Sequence, residues 1–151
     1  MYLADLLSSN PRSEGDLSRA GVLYTEALER RQSVLGEKHP DTLDTAGKAG
    51  VCKALVGDLE AAQRLFRSAR DGLLRTCGTT HLSTLGATSN LARVLALRRA
   101  AAGGGGGGGG SAVDEAVSLA REAVAGYEAA LGCDAPAAAA AREMLREMEA
   151  V

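Results

Sequence analysis

Apolar residues recur at helical spacing in three segments of the chain, and the three segments share one frame. The stripes are Leu17, Ala20, Tyr24 and Ala27; then Leu59, Ala62, Phe66 and Ala69; then Val113, Ala116, Ala120 and Ala123. Offsets of three and four residues place each set on one face of a helix. Charged residues occupy the opposite faces, namely Glu29, Arg30 and Arg31; Arg64, Arg67 and Arg70; Glu115, Arg121 and Glu122. The pattern predicts three amphipathic helices with solvated outer faces.

Each of these helices is predicted to end at a glycine in the same register, at Gly36, Gly78 and Gly132. Glycine just past a helix accepts the left-handed conformation that satisfies the final carbonyl groups. A second helix is predicted after each glycine, over residues 42–56, over residues 83 to about 98, and from Pro136 onward. Pro40 and Pro136 suit the first helical turn, where a missing N–H would have no partner anyway. The chain therefore predicts antiparallel pairs of one shorter and one longer helix.

The helix pairs repeat along the chain. The segment at residues 35–40 recurs at 77–82, an interval of 42 residues, and again at 131–136, an interval of 54 residues. A fixed period of this size indicates an array of supersecondary units, whose usual role is binding. The longer interval is absorbed at residues 99–110, a glycine-rich insertion predicted to be flexible and to lie in a turn within one repeat. We interpret it as a tolerated surface expansion in preference to a hinge between half-arrays.

The repeating unit resembles the tetratricopeptide repeat, in the 42-residue variant typical of kinesin light chains. Leu91, Ala92 and Leu95 match the large-small pair and the next large residue of the family's shorter helix, and Gly57 matches its turn glycine. The string at residues 35–43 is similar to the inter-repeat loop of kinesin light chains. The resemblance covers nearly the whole chain. It implies an all-α fold, an α-solenoid of antiparallel helix pairs in a right-handed superhelix, with seven helical segments, the shorter helices on the concave face and no strands.

Residues 1–151 are expected to form a single array with partial repeats at both ends. Residues 2–7 are interpreted as the end of a short helix, and neither terminal helix looks capped by a polar outer face. We therefore expect either a slice of a longer array or a truncated gene model. The heptad region through which kinesin light chains pair with the motor chain has no counterpart here, so motor association is not supported by this segment.

Composition and scattered reactive residues argue against several functions. A net charge of -2 and a pI near 5.7 give no basic field for nucleic acid. No apolar run suits a membrane span or a signal peptide. Cys52, Cys77 and Cys133 lack the paired spacing of a zinc or redox site and suit a reduced, cytoplasmic setting. His39 and His81 are related by the repeat and are predicted to cap or pack their loops. We expect no enzyme activity, no metal and no cofactor.

The resemblance implies that the concave face binds an extended peptide. Asn90 matches the family's asparagine that grips the peptide backbone, Lys48 stands at the same place one repeat earlier, and Arg93 is predicted to share the face. An amide both donates and accepts, and the two cations are able to pair with acidic residues. The alternative interpretation is that all three are ordinary exposed polar residues without a binding role. The leading interpretation is a non-catalytic adaptor or scaffold of the kinesin light chain-like type; the alternative is a structural or sensor repeat arm of a larger multidomain protein, such as a nucleotide-binding switch protein.

Overall fold

The computed structural model describes residues 14–102 and 109–150, and these residues form six helices and no strand. The helices are α1 (Glu14–Leu35), α2 (Pro40–Leu55), α3 (Leu59–Cys77), α4 (Leu82–Ala101), α5 (Gly109–Leu131) and α6 (Pro136–Glu149). The chain divides into two compact units, Met1–Cys77 with α1 to α3 and Gly78–Val151 with α4 to α6. Within each unit, neighbouring helices pack in succession. The predicted all-α fold is confirmed, while the helical segment predicted at residues 2–7 lies outside the described residues.

Glycine ends the long helices where the sequence predicts it. Gly36, Gly78 and Gly132 have φ angles of +89°, +88° and +90°. This left-handed region costs a residue with a Cβ atom free energy but costs glycine little, so each glycine stops its helix and turns the chain into the next one.

Histidine side chains cap the first turns of α2 and α4. The Nδ1 atom of His39 accepts a hydrogen bond from the backbone N–H of Asp41 at 3.2 Å, and that of His81 accepts one from Ser83 at 3.2 Å. Each bond satisfies a donor that lacks a partner inside its helix. The predicted role of both histidines in their loops is confirmed. Ala135, the equivalent residue before α6, makes no side-chain cap.

Three residues of the predicted apolar stripe are buried in α3 and three in α5, whereas in α1 none of Ala20, Tyr24 and Ala27 is buried. Ala62, Phe66 and Ala69 are all 0% exposed, and the equivalent alanines of α5 are at most 3% exposed. Tyr24 of α1, by contrast, stays 37% exposed. The two long helices with buried stripes, α3 and α5, each follow a short helix against which they pack.

The helices on either side of the glycine tract are longer than predicted. Helix α4 continues to Ala101, and α5 begins at Gly109, so both ends of the predicted insertion at 99–110 are helical. Alanine and arginine favour the helix, and Arg98 and Arg99 near its carboxyl end suit the helix dipole. Residues 103–108, the remainder of the predicted flexible segment, lie outside the described residues.

Candidate functional site

The short helix α2 meets one long helix on either side and leaves a third face less covered. In α2, Cys52 lies against α1, because a Cβ atom at Gly21 would be 3.6 Å from the Cys52 Cβ. Leu43 lies against α3, where a Cβ atom at Gly72 would be only 2.5 Å from Leu43 Cδ2. The third face, called here the free face of α2, consists of residues spaced by three and four: Asp41, Asp44, Lys48, Val51 and Leu55. None of these is buried.

Helix α4 repeats the contact with the following long helix 42 residues further on. Its Leu85 packs against Gly126 of α5 as Leu43 packs against Gly72. The free face of α4 consists of Ser83, Gly86, Asn90, Arg93 and Leu97, none of them buried. All three site residues predicted from the sequence, Lys48, Asn90 and Arg93, thus stand on a free face. Asn90 and Arg93 share one face in the second unit, while Lys48 belongs to the first unit, so these are two separately described surfaces.

Lys48 is already paired within its own helix. Its Nζ atom lies 2.8 Å from the Asp44 carboxylate, one turn earlier, and both side chains are about half exposed. The hydrogen bond to Asp44 raises the pKa of Lys48, and partial desolvation opposes that rise. A ligand carboxylate at this position therefore has to compete with Asp44 for the ammonium group.

Asn90 and Arg93 differ from Lys48 in this respect. Both side chains are half-buried. Within residues 14–102 and 109–150, neither the Asn90 amide nor the Arg93 guanidinium forms a hydrogen bond or an ion pair. Residues three apart on a helix are neighbours on its surface, with Cβ atoms about 5–6 Å apart. The free face of α4 therefore carries an amide and a positive charge side by side, both with their hydrogen-bonding capacity unused.

One polar contact near the free face of α2 was not anticipated from the sequence. Arg31, predicted to belong to a solvated surface, is exposed and also donates from Nη1 to the Asp41 carbonyl and to Thr45 Oγ1, both at 2.9 Å. Thr45 in turn donates to the same carbonyl at 2.7 Å. This arrangement ties the end of α1 to the first turn of α2. It depends on how two helices meet, and no local sequence signal marks it.

Reactive chemistry is sparse in the described residues. A groove of about 430 Å³ between α1 and α2 has Cys52 on its wall together with Glu26 and Lys53. Burial raises the pKa of the Cys52 thiol, which disfavours the nucleophilic thiolate. In the two stretches that the structure describes, no three His, Cys, Asp or Glu residues gather as a metal site would require. None of the helices there is long and apolar enough to cross a membrane.

Comparison with known families supports the fold. Residues 12–75, which contain α1, α2 and most of α3, match the tetratricopeptide repeat family. This match supports a tetratricopeptide repeat protein. Repeats of this family generally mediate protein–protein interaction and are typically non-catalytic. No curated protein matches the chain.

Proposed function

We propose that this chain is a non-catalytic protein–protein interaction module whose short helices bind extended peptide segments, in the manner of a kinesin light chain-like adaptor. The observation that carries the proposal is the pair formed by Asn90 and Arg93, two polar side chains with unused hydrogen-bonding capacity on the free face of α4. The family match over residues 12–75 supports a protein as the partner. We place the module in the cytoplasm, because Cys52, Cys77 and Cys133 are all free thiols.

The chemistry of this pair suits a peptide in extended conformation. Every residue of such a peptide offers a backbone N–H and a C=O, and the Asn90 amide is able to donate to one and accept from the other. The Arg93 guanidinium, one turn away, has the planar geometry for a two-bond contact with a carboxylate. Because both groups are half-buried, their bonds to a ligand are less exposed to competition from water than bonds at a fully exposed position. The preferred ligand carries an acidic residue near Arg93.

Lys48 has a smaller part in the proposal. Its ammonium group is held by Asp44 at 2.8 Å, so an acidic ligand gains only the difference between two similar ion pairs. We propose that Lys48 adjusts ligand preference through charge, while Asn90 and Arg93 supply the main contacts.

The test is a selection of peptides from a displayed library against the whole chain, followed by measurement of dissociation constants. Asn90→Ala should weaken binding about fivefold or more, since a hydrogen bond contributes about 1 kcal/mol net. Arg93→Glu should weaken acidic peptides most and basic ones least. Arg64→Glu, at an exposed position on α3, makes the same charge change away from the free faces and should leave binding unchanged. Circular dichroism checks that each variant keeps its helix content.

Two results would contradict the proposal. If binding ignores Asn90 and Arg93 but falls with Arg64→Glu, the working surface lies on the longer helices. If the library yields no ligand for the native chain, the alternative of a structural or sensor arm gains support. The full-length transcript then decides between the adaptor and the sensor arm of a switch protein. Heptad repeats encoded upstream of this chain favour the adaptor, and a phosphate-binding loop encoded upstream favours the switch protein.

A further inference from the structure

The face with which a short helix meets the following long helix changes character along the chain. In α2 this face contains Leu43, Ala46, Gly50 and Lys53, and in α4 it contains Leu85, Thr88, Ala92 and Leu95; all of these except the half-buried Lys53 are buried. The residues at the equivalent places of α6, 54 positions after those of α4, are Ala139, Arg142, Arg146 and Glu149. We call these four residues the outward face of α6.

The contacts in α2 and α4 show what this face does when a long helix covers it. Leu43 reaches the backbone of Gly72, and Leu85 reaches that of Gly126 in the same way. Gly50 lies under the ring of Phe66, so close that an added Cβ atom would be 3.0 Å from Cε1. A large residue near the helix start and a small one two turns later therefore let the two helices approach closely.

The outward face of α6 reverses both requirements. Ala139 replaces the large leucine, and Arg146 stands where α2 has Gly50 and α4 has Ala92. The Arg146 side chain is 73% exposed. Its Nη1 atom lies 3.0 Å from a carboxylate oxygen of Glu143. A long helix packed here in the manner of α3 on α2 would displace the arginine side chain or desolvate this ion pair, and the desolvation of an ion pair often costs more than its attraction returns.

The other charges of this face have partners within their own unit. Glu149 accepts hydrogen bonds from Arg121 of α5, at 2.7 Å from Nη2 and 3.2 Å from Nε. Arg142 lies 3.4 Å from the Glu128 carboxylate and also donates to the Cys133 carbonyl. Both residues thus link α6 to the rest of its unit along the edges of the helix, where water still reaches them. An incoming helix would have to desolvate these pairs as well.

We infer that the outward face of α6 is a polar cap that does not receive another long helix. This inference rests on the side chains of α6 and is independent of the length of the chain and of the proposed function. It differs from the sequence-based expectation that neither end of the array is capped. A cap of this kind keeps α6 hydrated and keeps the same face from associating with apolar surfaces of other molecules.

The test appends a long helix to the whole chain and asks whether it packs. A copy of residues 56–77 placed directly after Val151 keeps the repeat register, since Val151 occupies the position of Leu55. In the comparison chain, α6 carries the residues with which α2 meets α3, through Ala139→Leu, Arg142→Ala and Arg146→Gly. Amide hydrogen exchange of the appended segment should be at least about tenfold slower in the comparison chain than with native α6.

The result that would overturn the inference is protection of the appended helix on native α6. Protection in neither chain would overturn it too, because these side chains would then not decide the outcome. Should the threefold variant fail to fold, Arg146→Gly alone replaces it, since this change keeps the contacts of Arg142. Sedimentation of both chains without the appended helix gives a second readout. The variant should self-associate as its concentration rises, and its association constant should be at least about tenfold larger than that of the native chain.

Discussion

Leu43 of α2 packs directly against Gly72 of α3: a Cβ atom at Gly72 would lie 2.5 Å from Leu43 Cδ2 and 2.6 Å from Cδ1. Leu85 and Gly126 form the same contact one repeat later. Both glycines lie inside long helices, where glycine is about 1 kcal/mol less favourable than alanine. The close approach of neighbouring helices therefore requires a residue that is otherwise poor for a helix.

Replacing either glycine by alanine should lower the stability of the fold. Gly72→Ala places a methyl group where the Leu43 side chain lies, and Gly126→Ala does the same with Leu85. Overpacking of this kind typically costs about 1–3 kcal/mol, which exceeds the gain in helix propensity. Urea denaturation followed by circular dichroism measures the difference.

Gly47 in α2 provides the matched control. A Cβ atom built there has no neighbour within 4 Å, so Gly47→Ala should raise the free energy of unfolding by about 0.5–1 kcal/mol. The combination of Gly72→Ala with Leu43→Ala should cost less than the sum of the two single changes, since they share one contact. A Gly72→Ala protein as stable as Gly47→Ala would contradict the packing described above.

The small residue at position 62 should be equally intolerant of bulk. Ala62 is fully buried within the stripe that α2 covers, so Ala62→Leu should destabilise the fold by about 1–3 kcal/mol. Ser68→Leu adds a large apolar group at an exposed position of the same helix and should have little effect. Equal unfolding midpoints for the two variants would show that the repeat register is wrong.

Local chemistry explains how much of this fold the sequence predicts. The spacing of Ala62, Phe66 and Ala69 fixes a helix face, and a glycine such as Gly78 marks a helix end, because both signals depend only on residues within a few turns. The position of His39 likewise predicts a role at the start of α2. These features need no knowledge of which helices meet.

Features that arise between elements were harder to predict. The bonds from Arg31 to α2 depend on the crossing of two helices, and the exposure of Tyr24 depends on what covers α1. The pairing of Lys48 with Asp44 does have a sequence signal, because residues four apart on a helix are neighbours on its surface. Helix α4 extends beyond its predicted end at about residue 98, since Arg99, Ala100 and Ala101 favour a helix although a glycine tract follows them.

The histidine caps predict a measurable difference between repeats. His39→Ala and His81→Ala should each lower stability by about 0.5–2 kcal/mol, because a backbone donor in the first turn loses its partner. His39→Asp should recover the loss. Ala135 lacks a cap at the equivalent position, so Ala135→Asp should instead raise stability, by about 1 kcal/mol. Thermal unfolding of the four variants provides the comparison. If Ala135→Asp leaves stability unchanged, the backbone N–H groups at the start of α6 are already satisfied by other acceptors.

The three cysteines should react with a thiol reagent in the order of their exposure. Cys133 is exposed, Cys77 is half-buried and Cys52 is buried. Burial also raises the pKa of Cys52, so its thiolate is scarcer than that of an ordinary thiol at the same pH. Because the folded state favours the neutral thiol, the stability contributed by Cys52 is present below its unfolded pKa and is lost as pH rises through the folded value.

Mass spectrometry of iodoacetamide-treated protein should find Cys133 modified first and Cys52 last, with the modification rate of Cys52 rising most at alkaline pH. Cys52→Val introduces into α2 the residue that α4 has at the equivalent position, Val94. This variant should keep the fold and lose only the slowest of the three modification reactions. Modification of Cys52 as fast as Cys133 would show that the contact between α1 and α2 opens readily.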